Sequence, residues 1–203
     1  MMGCSPGDTE CNADEYPLHQ VILSPFMILE TEVTEGQYMA VIGANPSNPK
    51  RGANYPVDTV SWNDADAFCK AIGGQLPTEA QWEFAARAGT VTRFPCGNDQ
   101  ACLATTAWCG SSTDKKQPVA QKIPNAFGLF DAVGNVSEWA FDEYQAQYYS
   151  SGDKNDPVGP DGDAYKVVRG ANITYSTTGC RLSNRSKSFR TLKDELRGMR
   201  CAK

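Results

Sequence analysis

Histidine is almost missing from this chain of 203 residues, His19 being the only one. That excludes iron and catalytic zinc centres built on two or three imidazoles; His19 is expected at a strand edge. No run approaches the length of a membrane-spanning helix, and no charged segment with an apolar core opens the chain. Positive charge is also short. With 19 Lys and Arg against 24 Asp and Glu, a net charge of −5 and no basic block, an electrostatic nucleic-acid surface is excluded. Nothing in the middle reads as a linker, so a single domain over residues 1–203 is expected. The abrupt start, Met1-Met2-Gly3-Cys4, reads as the end of a strand entering a loop, and an export signal or anchor removed upstream is the expectation drawn from it.

Cysteine, by contrast, is abundant, with eight residues. Cys4 and Cys11, and Cys96 and Cys102, bracket Gly-Asp and Gly-Asn-Asp turns. Neither pair has the CxxC spacing of a zinc knuckle, so both read as local disulfides in an oxidising compartment. Spacing leaves the pairing of the other four open.

Helical signals are confined to the first part of the chain. Gln20 to Leu23 and Phe26 to Leu29 read as short strands. Thr34 and Gln37 form a capping box before Tyr38, Val41 and Ile42. Residues 43–56 are loop, Val57 to Ser61 is a short extended piece, and Asn63 is the expected cap of a helix carrying Ala65, Phe68, Cys69 and Ile72. Thr78 and Gln81 cap a third helix, with Trp82, Phe84, Ala85 and Ala86, that stops at Gly89. Loops and short strands are expected afterwards, including Val167 to Gly170 and Leu196 to Cys201. Helices packed on a loop-rich β remainder define an α+β domain with little regular structure.

Asn125 to Trp139, NAFGLFDAVGNVSEW, mixes apolar anchors with Gly, Asn, Asp and Glu and reads as too irregular for a helix face or a strand. Asp131 and Glu138 flank free carbonyls, the oxygen set that suits a hard cation. A buried turn satisfying its own backbone is the other reading.

Together, Glu32-Val33-Thr34, Pro56-Val57 with Val60-Ser61-Trp62, Leu76-Pro77-Thr78-Glu79 with Trp82-Glu83-Phe84, Asn125 to Leu129, Gly134-Asn135-Val136 with Glu138-Trp139, Arg169-Gly170 and Gly198-Met199-Arg200 resemble the formylglycine-generating, sulfatase-modifying-factor family. The resemblance implies a C-type-lectin-like fold, calcium in the loops and an extracytoplasmic setting. It does not by itself imply the oxidase, because a fold hosts many functions.

Catalytic members hold a cuprous ion between two cysteines that follow an Arg-Gly-Gly-Ser motif by three and eight residues. The matching motif here is Arg169-Gly170-Ala171-Asn172, which puts Tyr175 at the first position and Cys180 at the second. No other cysteine stands between residues 170 and 200. A phenol does not replace a soft ligand, so the expectation is a domain without the catalytic pair and no copper unless an oxidase function survives.

Residue by residue, the resemblance implies calcium at Asp131 and Glu138 by side chain and Gly134 and Val136 by carbonyl. The family's second calcium site does not align onto Leu103 to Asp114. A bridge between Cys69 and Cys201 is implied; Cys109 and Cys180 either join or leave Cys180 a free thiol. Where relatives carry a tryptophan before the glutamate, this chain has Ser137, so the nearby groove is either wider or filled by another residue such as Trp108.

The function expected is a non-catalytic, secreted ligand- or protein-binding module. Its groove is formed by Trp108, Arg169, Asn172, Tyr175 and Arg185, taking a peptide or protein. A formylglycine-generating oxidase, or an accessory subunit of an envelope assembly, is the alternative. For Arg169 and Arg185, pairing with buried carboxylates is the competing reading.

Overall fold

The computed structural model describes residues 1–110, 115–152, 154–162 and 164–203. Three helices are started by reciprocal side-chain caps. For α1 (Glu35–Ile42), the Thr34 hydroxyl accepts from the Gln37 amide at 3.2 Å, while Gln37 accepts from the Thr34 amide at 2.9 Å. Thr78 and Gln81 repeat the arrangement over α3 (Glu79–Arg87). For α2 (Trp62–Ala71) the cap is Ser61, not Asn63: Ser61 and Asp64 satisfy each other's amides, which places Asn63 inside the first turn. Helical structure also continues past Gly89, in the short α4 (Leu103–Thr106) and α5 (Tyr148–Ser151).

One four-stranded sheet lies behind the loops, with β1 (Ser137–Glu143), β2 (Tyr165–Arg169), β3 (Arg185–Phe189) and β4 (Arg197–Gly198) in the order β3-β2-β1-β4. β2 runs antiparallel to both neighbours, and β4 parallel to β1. The end of the Asn125–Trp139 stretch is thus ordinary strand, because Ser137 to Trp139 sit in the interior of the sheet. The expected strands at residues 20–29 are single bridges, Ile22 to Asn155 and Ile28 to Ala202, and the closing strand shrinks to Arg197–Gly198. His19 makes one antiparallel bridge to Met2.

Among the described residues three apolar clusters fill the interior, the smallest formed by Met2, Ala80 and Tyr149. Val33, Tyr38, Val57, Phe68, Trp139, Val168 and Met199 join α1 and α2 to the sheet. Trp82, Phe94, Leu103, Leu129, Val133 and Leu182 join α3 to the loops. The disulfides are Cys4–Cys11, Cys69–Cys201, Cys96–Cys102 and Cys109–Cys180, and no cysteine is free. Cys69–Cys201 closes the longest loop, 132 residues, and in the chain-entropy model contributes about 4 to 5 kcal/mol. No helix among the described residues is long and apolar enough to cross a membrane.

Candidate functional site in the loop layer

Arg169 and Arg185 do not line a groove. Arg169 is fully buried, donating to Glu79 at 3.0 Å, to Glu83 at 2.5 Å and to the Leu182 carbonyl. Arg185 grips both oxygens of Glu79 at 2.7 and 2.8 Å and reaches the Asp14 carbonyl. Burial alone would push the Glu79 carboxyl up, but Arg185 and Arg169 outweigh it and hold it below its ordinary range. These arginines tie α3 to β2 and β3, because a guanidinium so far from water needs carboxylates around it. Asp142 in β1 accepts from the Glu79 amide at 2.7 Å; burial, then the Glu79 charge, push its carboxyl from its ordinary 3.8 to about 8.

Trp108, Asn172 and Tyr175 do come together. The Asn135 amide donates to the Trp108 carbonyl at 3.0 Å, the Ile173 amide to the Asn135 carbonyl at 3.2 Å, and the Gly110 amide to the Tyr175 carbonyl at 3.1 Å. Asn172 is held from both ends: its amide donates to the Ser137 hydroxyl at 3.3 Å, while its oxygen accepts from the Thr174 amide and hydroxyl. The Cys109–Cys180 bridge links the same two loops. Tyr175 keeps 36% of its surface exposed. Trp108 is half-buried, with Lys122 4.0 Å from its ring centre and its buried indole N–H without an acceptor among the described residues. Of Leu103 to Asp114, residues 111–114 lie outside the described residues.

Gly134 allows this approach. Its φ of +125° favours glycine, and a Cβ there would lie 2.6 Å from the Trp108 carbonyl oxygen. Asn135 follows at φ +57° and its side chain joins the layers, donating to Glu32 and accepting from the Gln117 amide. Sequence reading left Asn135 without a role, although a Gly-Asn pair is a recognisable left-handed turn signal.

The proposed calcium ligands divide. Asp131 accepts from the Ala120 amide through Oδ2, and its buried Oδ1 has no partner among the described residues. The Gly134 and Val136 carbonyls accept no hydrogen bond among the described residues. Three hard oxygen donors are therefore unused in the loop, which fits a hard cation. Glu138 is different: Arg200 donates to both of its oxygens at 2.8 to 3.0 Å, and the Trp82 indole donates at 2.7 Å. A cation there would share a carboxylate already facing a guanidinium. Three carboxylates, Glu32, Asp131 and Glu138, act on one another here, and burial followed by the other two carboxylates drives the Glu32 carboxyl well up. Among the described residues, no cluster of three or more His, Cys, Asp or Glu side chains is arranged to hold a metal.

Comparison with known proteins fixes the class. The model of the sulfatase-modifying factor enzyme 1-like domain matches residues 1–203, and the chain belongs to that family. It is 31% identical to the serine/threonine-protein kinase pkn1 of Chlamydia pneumoniae over 98% of its own residues, but spans only 36% of that protein. It is 30% identical to the formylglycine-generating enzyme of Streptomyces coelicolor, covering 99% of this chain and 85% of the enzyme. Among solved structures, Treponema denticola variable protein 1 superposes with a TM-score of 0.90 at 28% identity, over 98% of this chain and 91% of that one. The fold is the C-type-lectin-like one expected from the sequence.

Proposed function

We propose that the domain is a non-catalytic binding module, taking a peptide or protein at the loops of Trp108, Asn172 and Tyr175 in an extracytoplasmic setting. One observation carries this: Cys180, the only cysteine between residues 170 and 200, is closed in a bridge with Cys109. Linear copper coordination needs two thiolates, and this region offers none. The exposed Tyr175 beside a fixed Asn172 and a half-buried Trp108 suits directed contacts to a polypeptide. Calcium held by Asp131, Gly134 and Val136, with Glu138 completing the set, would clamp these loops by neutralising buried oxygen donors. Four disulfides favour an oxidising compartment.

The oxidase alternative rests on the Streptomyces relative, which is similar along almost the whole chain. Aerobic incubation with copper and a cysteine-containing sulfatase-motif peptide separates the two. The peptide mass is expected to stay unchanged, with no thiol titrating in denaturant; conversion of the cysteine would overturn the non-catalytic reading. If the domain is instead an accessory subunit of an envelope assembly, it should elute with its complex and bind no isolated peptide.

A further inference from the structure

Away from the Trp108–Tyr175 loops, and sharing none of their residues, lies an apolar cleft of about 520 Å³ between Leu23, Phe26 and Ile28 on one side and Phe84, Phe127 and Leu129 on the other. Phe84 sits on α3, where the apolar pattern predicts a core residue, yet it is 51% exposed; Phe127 is 52% exposed. The three phenyl rings form a chain, with Phe84 6.0 Å from Phe26 and 5.6 Å from Phe127 between centroids. A volume of this size suits a few apolar side chains.

The wall at residues 26–28 is extended and paired on one edge only. Met27 exchanges two hydrogen bonds with Lys203, and the Leu29 amide donates to the Cys201 carbonyl. Ile28, opposite Ala202, therefore directs its amide and carbonyl the other way. Among the described residues, neither Phe26 nor Ile28 makes a backbone hydrogen bond. The next residue on that open edge, Glu30, accepts from the Phe130 amide at 2.8 Å. The strand and the 127–130 loop thus meet at Glu30 and diverge, with the cleft between them. Glu30 is exposed on the rim and its carboxylate has no ion-pair partner among the described residues.

We propose that this cleft docks an extended segment of a partner protein, which adds as a strand along Phe26–Ile28, puts apolar side chains two residues apart among Phe84 and Phe127, and sets a basic residue against Glu30. An added strand satisfies the free amides and carbonyls, and its period of two sends alternate side chains to the same side. The unpaired carboxylate selects a cation at the end that the Glu30–Phe130 contact closes.

The test selects a displayed library of random peptides on the intact chain. Apolar-x-apolar sequences with a flanking Lys or Arg should be enriched, and Phe84→Asp should weaken them about tenfold or more. Phe84 is half exposed, so that variant is expected to fold; Glu30→Lys gives an independent reading by shifting the flanking preference to Asp or Glu. No enrichment, or enrichment solely of peptides indifferent to both substitutions, would overturn the proposal. So would a dimer in sedimentation that Phe84→Asp abolishes, since the occupant would then be a second copy.

Discussion

Glu79 and Asp131 are both buried carboxylates, and their surroundings could hardly differ more. Glu79 meets Arg169, Arg185 and the Tyr149 hydroxyl, all within 3.2 Å. Among the described residues, Asp131 receives one backbone amide and leaves Oδ1 without a partner, and the Gly134 and Val136 carbonyls accept no hydrogen bond. In the sheet layer, charge is neutralised by the chain itself, leaving only the Arg169 Nε without an acceptor among that arginine's donors. In the loop layer, acceptors are in surplus. The first arrangement holds elements together; the second is what a chain looks like where something from outside completes it.

The largest effect is expected where the chain completes itself. Glu79→Ala strands the buried Arg185 guanidinium and takes from Arg169 one of its two carboxylates, Glu83 remaining, and should cost about 3 to 5 kcal/mol, read from the urea midpoint at constant slope. The loss should be the same with calcium or with chelator. A neutral result would erase the contrast between the layers.

The loop layer should respond to calcium instead. Saturation at a hundredfold excess over Kd is expected to add about 2.7 kcal/mol, removed by chelator. Asp131→Asn should abolish that increment while changing stability in chelator little, since the amide oxygen still faces the Ala120 amide. An identical melting curve with and without calcium would count against the site.

A pH-dependent effect sharpens the account of the sheet layer. Asp142 is raised to about 8, so the native state binds its proton more tightly; its contribution is full below pH 3.8 and is lost as pH rises toward 8. Glu79 is depressed, so its contribution is present above the ordinary carboxylate range and is lost as pH falls through its folded value. Asp142→Asn, which imitates the protonated acid, should therefore match the parent at and below the ordinary carboxylate value of 3.8 and exceed it by a growing margin as pH rises to 8. Parallel profiles for the two proteins would show that Asp142 ionises as freely when folded as when unfolded.

What the sequence made legible was mostly local or carried by the family pattern. The Thr34 and Thr78 boxes are complete within four residues, and Cys4–Cys11 and Cys96–Cys102 close short loops. Asn63 has an acid at the same spacing, Asp66, but Asp66 pairs with Lys70, whereas Ser61 and Asp64 satisfy each other's amides and start the helix two residues earlier. The role of Arg185 could not be read locally: its partner Glu79 lies 106 residues away, and an arginine's spacing says nothing of which buried carboxylate awaits it. β1 was hidden because Ser137 to Trp139 are buried on both faces, so the alternation that marks a half-exposed strand is absent. The Asp131 loop was the reverse case, since its oxygen donors were visible, while the Arg200 that occupies Glu138 was legible only as part of a closing motif.

Tyr175 gives the smallest stability effect and the cleanest division between the layers. A third of its surface is exposed and its ring rests on Gly179, so Tyr175→Ala should change stability by no more than about 1 kcal/mol, within the range of partly exposed sites. Its neighbour in the fold, Asn172, is buried and bonded at both ends, and its loss would blur packing with binding. Peptides selected on the intact chain whose binding is indifferent to Phe84→Asp should lose affinity with Tyr175→Ala while the urea midpoint hardly moves. Arg185→Ala should do the opposite, moving the midpoint first. If both substitutions shift stability and binding together, the loops and the sheet form one cooperative unit, and the surplus of acceptors around Asp131 belongs to the scaffold, not to a ligand site.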